Sequence, residues 1–246
     1  MGFGGLYTSM AGLETATQRL DTAAENLANV NTQGYAAAQT EAMSLSYTGQ
    51  RALPGADVIS LGEQADIAQG PMLRTGGAFD VAVKGGWLVV QGPGGTPALT
   101  RAGRLAINEN GLLVTANGNP VLGTDGNPIS LPALKSLTVS SSGQVSGVAD
   151  TSASTTPQVF ARLLLAQTPA AGVTPIGNSL YALPPGVAPA LAAQASVRQG
   201  YLEGSNVDPV QAMMSLISIS KDFQLQTQVV TASAKDSSQL DQVLLA

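Results

Sequence analysis

Asp66, Asp80, Glu109 and Asp125 are the residues of this chain best placed for general acid–base work, all in the first half of a strand-rich region. A glycosidase-type centre needs two carboxyls about 5–9.5 Å apart on either side of a substrate. These four stand singly, and none has a recognisable partner. The chain has no histidine and no cysteine. That removes disulfides, zinc sites of the usual kind, thiol nucleophiles and every triad with histidine as base. The glycine-rich stretch Gln91–Pro97, QGPGGTP, is not followed by Gly-Lys-Ser/Thr, so it reads as a hairpin loop and not as a phosphate cradle. The net charge is −5 with no basic run, which leaves nucleic-acid binding without its electrostatic footprint. The residues point to no catalysis and no cofactor.

What remains is amide chemistry. Asn26, Asn29 and Asn31 crowd into "ENLANVNTQGY", Glu25–Tyr35. Asparagine is a mediocre helix former because its amide competes for backbone groups. Asn26 and Asn29 lie three apart on one flank beside Leu27. There they are expected to bond across to another helix and fix its register. Asn31 with Thr32 is expected to bond the backbone as the helix ends, and Gly34 to take a left-handed turn.

The element that must position these amides is an N-terminal helix. Leu6, Leu13, Leu20 and Leu27 are seven apart, with Met10, Thr17 and Ala24 between them, which predicts a heptad seam ending near Val30. The C-terminal segment mirrors it. Asp208 can cap, Pro209 suits the first helical position, and Gln211 stands where a capping box has Glu or Gln. From there no Gly or Pro interrupts the chain, and one stripe runs through Leu216, Ile219, Phe223, Gln226, Val230, Ser233, Ser237, Leu240 and Leu244. Between the helices Gly and Pro recur every few residues. Short apolar runs alternate with turn pairs such as Asn110-Gly111, Asn117-Gly118 and Asp125-Gly126, which predicts an all-β domain.

The expected fold is α+β: long N- and C-terminal helices pairing as a coiled-coil-like domain around a central all-β domain of short strands. The expected divisions are an N-terminal helix over 1–35, a connector over 36–65, a β-rich domain over 66–204 and a C-terminal helix over 205–246. Charged residues are 11% of the chain, well under the roughly 25% of an ordinary soluble domain. A surface rich instead in Gln, Asn, Ser and Thr suits extensive contact with protein. The assembly surface is therefore expected at Leu6, Met10, Leu13, Leu20, Asn26, Leu27, Asn29, Asn31 and Gly34, and at Leu216, Ile219, Phe223, Val230, Leu240 and Leu244. The N-terminus has no basic start and no unbroken apolar run, so no cleaved signal peptide is expected. No stretch approaches the roughly 18 apolar residues of a membrane span.

Three stretches resemble the rod and hook family of bacterial flagellar axial proteins. "AAENLANVNTQGY" is similar to its N-terminal signature. "GPMLRTGGAFDVAVKGGWLVVQ", "LTRAGRLAINENGLLVTANGNPVLG" and "GNPISLP" resemble its β domain. "GYLEGSNVDPVQAMMSLISISKDF" resembles its closing motif. The chain departs from the family pattern where Trp87 and Leu88 stand in place of two phenylalanines. The resemblance implies a structural subunit of the flagellar basal-body rod. Such subunits stack helically into a drive shaft across the periplasm, with the terminal helices inside and the β domain outside. It implies as partners other copies of the chain, the axial proteins FlgB, FlgC, FlgG and FliE, and the type III export apparatus. Length and the compact β domain suggest a proximal rod member, with a distal rod or hook-type member as the alternative. The reading from another class is a secreted adhesin-like β module, which has no need of helical seams at both termini.

Overall fold

The computed structural model describes residues 3–47, 55–150, 156–169 and 172–244; for 3–9, 41–47, 55–61, 233–234 and 236–244 it describes the backbone alone. The chain divides into two units. A helical unit comprises Met1–Ala28, Ala38–Gln64 and Asp208–Ala246, and a β unit comprises Asn29–Ala37 and Ala65–Val207.

In the helical unit, α1 (Phe3–Ala28) packs along α2 (Pro209–Leu244). Asp208 caps α2: its Oδ1 accepts from the Val210 and Gln211 amides at 2.8 and 3.0 Å, and Pro209 takes the first turn, where no amide is needed. Residues 36–65, expected to be a connector, hold a two-stranded sheet, Ala38–Tyr47 with Gly55–Ala65. The clue was the alternation Met43-Ser44-Leu45-Ser46-Tyr47, which is too short to stand out beside the longer helical pattern.

The two helices do not form the expected coiled-coil seam. Among the described side chains of α1 the buried ones are Thr15, Ala16, Thr22 and Ala23, while Leu13, Leu20 and Leu27 are only half-buried and Met10 is 55% exposed. The two stripes lie roughly a third of a turn apart on the helix. Small residues win the inner position because they let neighbouring backbone come close. Around Thr22 that neighbour is the hairpin: its hydroxyl donates to Glu63 Oε1 at 2.5 Å and lies 2.8 Å from Thr40 Oγ1. On α2, no described residue is fully buried. Ala212, Leu216, Ile219, Ser220, Phe223, Gln226 and Val230 form its half-buried face.

In the β unit, a five-stranded antiparallel sheet orders Leu165–Ala166, Trp87–Gln91, Pro97–Thr100, Leu180–Ala182 and Thr174–Gly177 side by side. Register pairs Leu88 and Leu180 with Thr100, and Val89 with Leu99. Alternate residues point to opposite faces. Leu88, Val90, Ala98, Leu165 and Leu180 enter the main core with Val81, Leu113, Val121 and Val145. Trp87, Val89, Leu99, Ala166 and Tyr181 enter a second core with Leu122, Val173, Ala36 and Ala65. Burial on both faces explains why the run WLVV is apolar throughout and does not alternate. A three-stranded sheet, with Leu134–Val139 and Gln158–Arg162 flanking Gln144–Ala149, closes the main core. Val81–Lys84 pairs with Ser196–Gln199, and Met72–Arg74 with Tyr201–Glu203. The expected turn pairs close hairpin loops at Gly111, Gly118 and Gly126. The all-β middle thus stands, and the coiled-coil pairing of the termini does not.

Candidate functional site

The second core places residues from opposite ends of the sequence together. The segment after α1, Asn29–Ala37, belongs to the β unit. The Gly34 amide donates to the Glu203 carbonyl at 2.9 Å. Tyr181 Oη accepts from the Ala36 amide at 2.6 Å, and Tyr35 and Ala36 are buried. Gly34 has φ +66, as expected, but it does not end the helix, because α1 stops at Ala28. Its role is close approach: a Cβ there would lie 2.2 Å from the Ala102 amide nitrogen and 2.3 Å from the Arg101 carbonyl carbon.

Beneath this segment lies the one buried ion pair among the described residues. Arg101 and Glu203 are 5% and 1% exposed, and Arg101 Nη1 stands 3.3 Å from Glu203 Oε1. Arg101 also donates to the Ile67 and Ala68 carbonyls, both at 2.7 Å, and its guanidinium carbon lies 4.0 Å from the centre of the Trp87 ring. Glu203 Oε1 accepts from the Gly70 amide at 3.0 Å. Burial pushes the Glu203 carboxyl above its ordinary value against the pull of Arg101, and burial lowers the Arg101 guanidinium against the pull of Glu203. Arg101 Nε and Glu203 Oε2 have no hydrogen-bond partner. Desolvation therefore offsets much of the attraction, and removal of either partner leaves an uncompensated charge.

No local sequence pattern marks this site. The available signal is a lone arginine directly after the apolar strand Pro97–Thr100, followed by Ala-Gly. Its acidic partner is 102 residues away, beyond any local pattern.

The amides at the end of α1 have found partners within the chain. Asn26 Nδ2 donates to the Ala38 carbonyl and Asn26 Oδ1 accepts from the Ala38 amide, both at 2.8 Å, so the side chain pairs with the first residue of the hairpin as a neighbouring strand would. Asn29 Oδ1 accepts from Thr32 Oγ1 at 3.0 Å, and Asn31 is exposed. The side chains of Leu6, Leu240 and Leu244 lie outside the described residues. Leu216, Ile219, Phe223 and Val230 share the half-buried face of α2. The opposite face was not foreseen. It exposes Val210, Met213, Met214, Ile217, Leu225 and Val229, each more than half accessible. Gln18 Oε1 and Gln226 Oε1 are buried acceptors without a donor.

Three of the four carboxylates serve separate local tasks. Asp66 Oδ1 accepts from the Ala68 amide at 2.9 Å, and Asp80 lies 4.0 Å from Arg104. Hydrogen bonds from Asn127 hold the Asp125 carboxyl below its ordinary value. Glu109 is exposed. Among the described residues, no cluster of three or more acidic side chains could hold a metal ion.

Comparison with known proteins covers both units. Three family profiles match: "Flagella basal body rod protein" over residues 6–35, "Flagellar hook protein FlgE/F/G D1 domain" over 82–147, and "Flagellar basal body rod FlgEFG protein C-terminal" over 198–243. The flagellar basal-body rod protein FlgF of Salmonella typhimurium is 30% identical over 246 residues, covering 97% of each chain. FlgF of Rhizobium meliloti is 35% identical, covering 95% of this chain and 92% of its own. The rod protein FlgG of Agrobacterium fabrum is 30% identical, covering 93% and 94%. With FlgF relatives matched at this identity along nearly the whole sequence, the chain belongs to the flagellar basal-body rod protein family and is FlgF-like.

Proposed function

We propose that this protein is a non-enzymatic building block of the flagellar rod, in its proximal part, stacking helically with copies of itself and other axial proteins. FlgB, FlgC, FlgG and FliE are the axial neighbours it would meet, and the type III export apparatus would carry it to the periplasm without cleavage of a leader. Torque would pass through many subunit contacts and not through one catalytic centre. Membership of the rod family supports the basal-body location.

The observation that carries the proposal is the two-faced α2. Its inner face is only half-buried, and its outer face presents Val210, Met213, Met214, Ile217, Leu225 and Val229. Scattered exposed apolar residues are ordinary, but six on one face of one helix mark a surface meant for protein. Methionine at two of them suits unlike neighbours, because its side chain adapts to irregular surfaces. On α1, Met10 is 55% exposed, and Leu13, Leu20 and Leu27 are half-buried.

The test is Met214→Lys with Ile217→Lys in the native gene. Both side chains are exposed, so the isolated protein should unfold as the wild type does, be exported, and yet leave cells non-motile with incomplete rods. Normal motility would remove this face from the assembly.

A further inference from the structure

The chain passes between its two units at four places: after Ala28, Ala37, Gln64 and Val207. On the β unit, one side chain fastens three of these roots. Asn206 Oδ1 accepts from the Ala37 amide at 2.7 Å. Asn206 Nδ2 donates to the Asp66 carbonyl at 3.2 Å and to the Ala68 carbonyl at 3.0 Å. The Asn206 amide itself donates to the Tyr35 carbonyl at 3.3 Å, and the Asp66 amide donates to the Ala37 carbonyl at 2.7 Å.

Asn206 stands one residue before the final exit, Ala37 is the last residue before the second, and Asp66 is the second residue after the return. Both protons of the carboxamide and one side of its oxygen are used. That pattern also fixes which way the amide faces, since only this orientation matches two carbonyls and one N–H. No other residue type of this size offers two donors and an acceptor at one point. Aspartate would keep the acceptor and set a carboxylate against two carbonyl oxygens. Alanine would leave the Ala37 amide and the Asp66 and Ala68 carbonyls without this partner.

We infer that Asn206 is a positioning residue for assembly: its carboxamide staples the roots of the strands Ala38–Tyr47 and Gly55–Ala65 and of α2 to one point on the β unit, so that the assembling segments leave it at fixed places. Load that travels along the chain from one unit to the other passes through these three roots and through the crossing after Ala28. Covalent continuity alone would let them splay; the staple holds them in one register. The consequence for assembly rests on the reading of the chain as a rod subunit, whereas the staple itself does not.

The test is residue-resolved amide exchange by NMR on the full chain, comparing wild type, Asn206→Ala and Asn206→Asp. In the alanine variant the Ala37 and Asp66 amides should exchange about tenfold faster, the scale of one lost hydrogen bond. The Val89, Leu99 and Tyr181 amides should keep their wild-type rates. In the aspartate variant Asp66 should accelerate while Ala37, whose acceptor remains, changes less. Equal acceleration across the sheet, or failure of either variant to fold, would make Asn206 part of the core and overturn the staple. Unchanged rates at Ala37 and Asp66 would overturn it too. Cells carrying Asn206→Ala should export the protein and build few rods. Normal rods from a protein with loosened roots would overturn the positioning role alone; absence of the wild-type chain from purified rods would overturn the rod-subunit reading and leave the exchange pattern standing.

Discussion

Replacing Gly34 by alanine tests the docking of the N-terminal segment directly. At φ +66 an L-residue is strained by about 1 kcal/mol. The larger effect is steric. The new Cβ would sit 2.2 Å from the Ala102 nitrogen and 2.3 Å from the Arg101 carbonyl carbon, and both are backbone atoms that no rotamer change can move. The segment must shift or leave. If it leaves, the bonds from Gly34 to Glu203 and from Ala36 to Tyr181 are lost, Tyr181 Oη loses a buried partner, and Tyr35 and Ala36 return to water. Two hydrogen bonds at about 1 kcal/mol each and the re-exposed apolar surface put the total at roughly 3–5 kcal/mol. Undocking sets the ceiling, since the clash cannot cost more than the contacts it expels. Gly118→Ala is the control: its φ is +82, but nothing lies within 4 Å of its Cβ, so only the strain of about 1 kcal/mol applies. Urea unfolding followed through Trp87, the single tryptophan of the chain, reads both variants in the β unit. Equal losses for the two would refute the close approach.

Further outcomes follow from the same geometry. Ser179 holds φ +55 beside Asn178 at +54 in the Thr174–Ala182 hairpin, so Ser179→Gly should raise stability by about 0.5–1 kcal/mol in the same unfolding assay. Arg101→Met should cost about 3–5 kcal/mol by stranding the Glu203 carboxylate, and pairing it with Glu203→Met should recover much of that in a double-mutant cycle. Burial raises the Glu203 carboxyl, so the folded state binds its proton more tightly than the unfolded state does. That contribution is complete below the ordinary carboxylate range and is lost as pH rises through the raised value, so thermal midpoints of wild type should fall with pH there relative to Glu203→Gln. A parallel pH course for the two proteins would contradict this. Limited proteolysis of the isolated chain should cut first within α2, where no described residue is buried, and spare Ala65–Val207; a protected α2 would contradict the openness of its outer face.

Much of this protein was legible where the signal is local. Asp208-Pro209 announced the start of α2, and the Asn-Gly and Asp-Gly pairs announced the hairpins, because capping and turn chemistry act over two or three residues. The left-handed Gly34 is legible for the same reason. The leucine heptad misled because spacing identifies a face without saying which face goes inside. In α1 the inner face belongs to Thr15, Ala16, Thr22 and Ala23, whose small volumes permit close backbone approach. The ion pair under the docked segment and the Asn206 staple were invisible because their partners are separated by 102 and by up to 169 residues. Only the closed fold brings those side chains together, and no periodicity encodes it.

The central claim is that this chain is a necessary part of the rod. Electron microscopy of basal bodies from a strain carrying an in-frame deletion of its gene tests that most directly. Rods that stop short of the outer rings are expected, with full length restored by the wild-type gene. Complete rods and hooks on motile cells would contradict it.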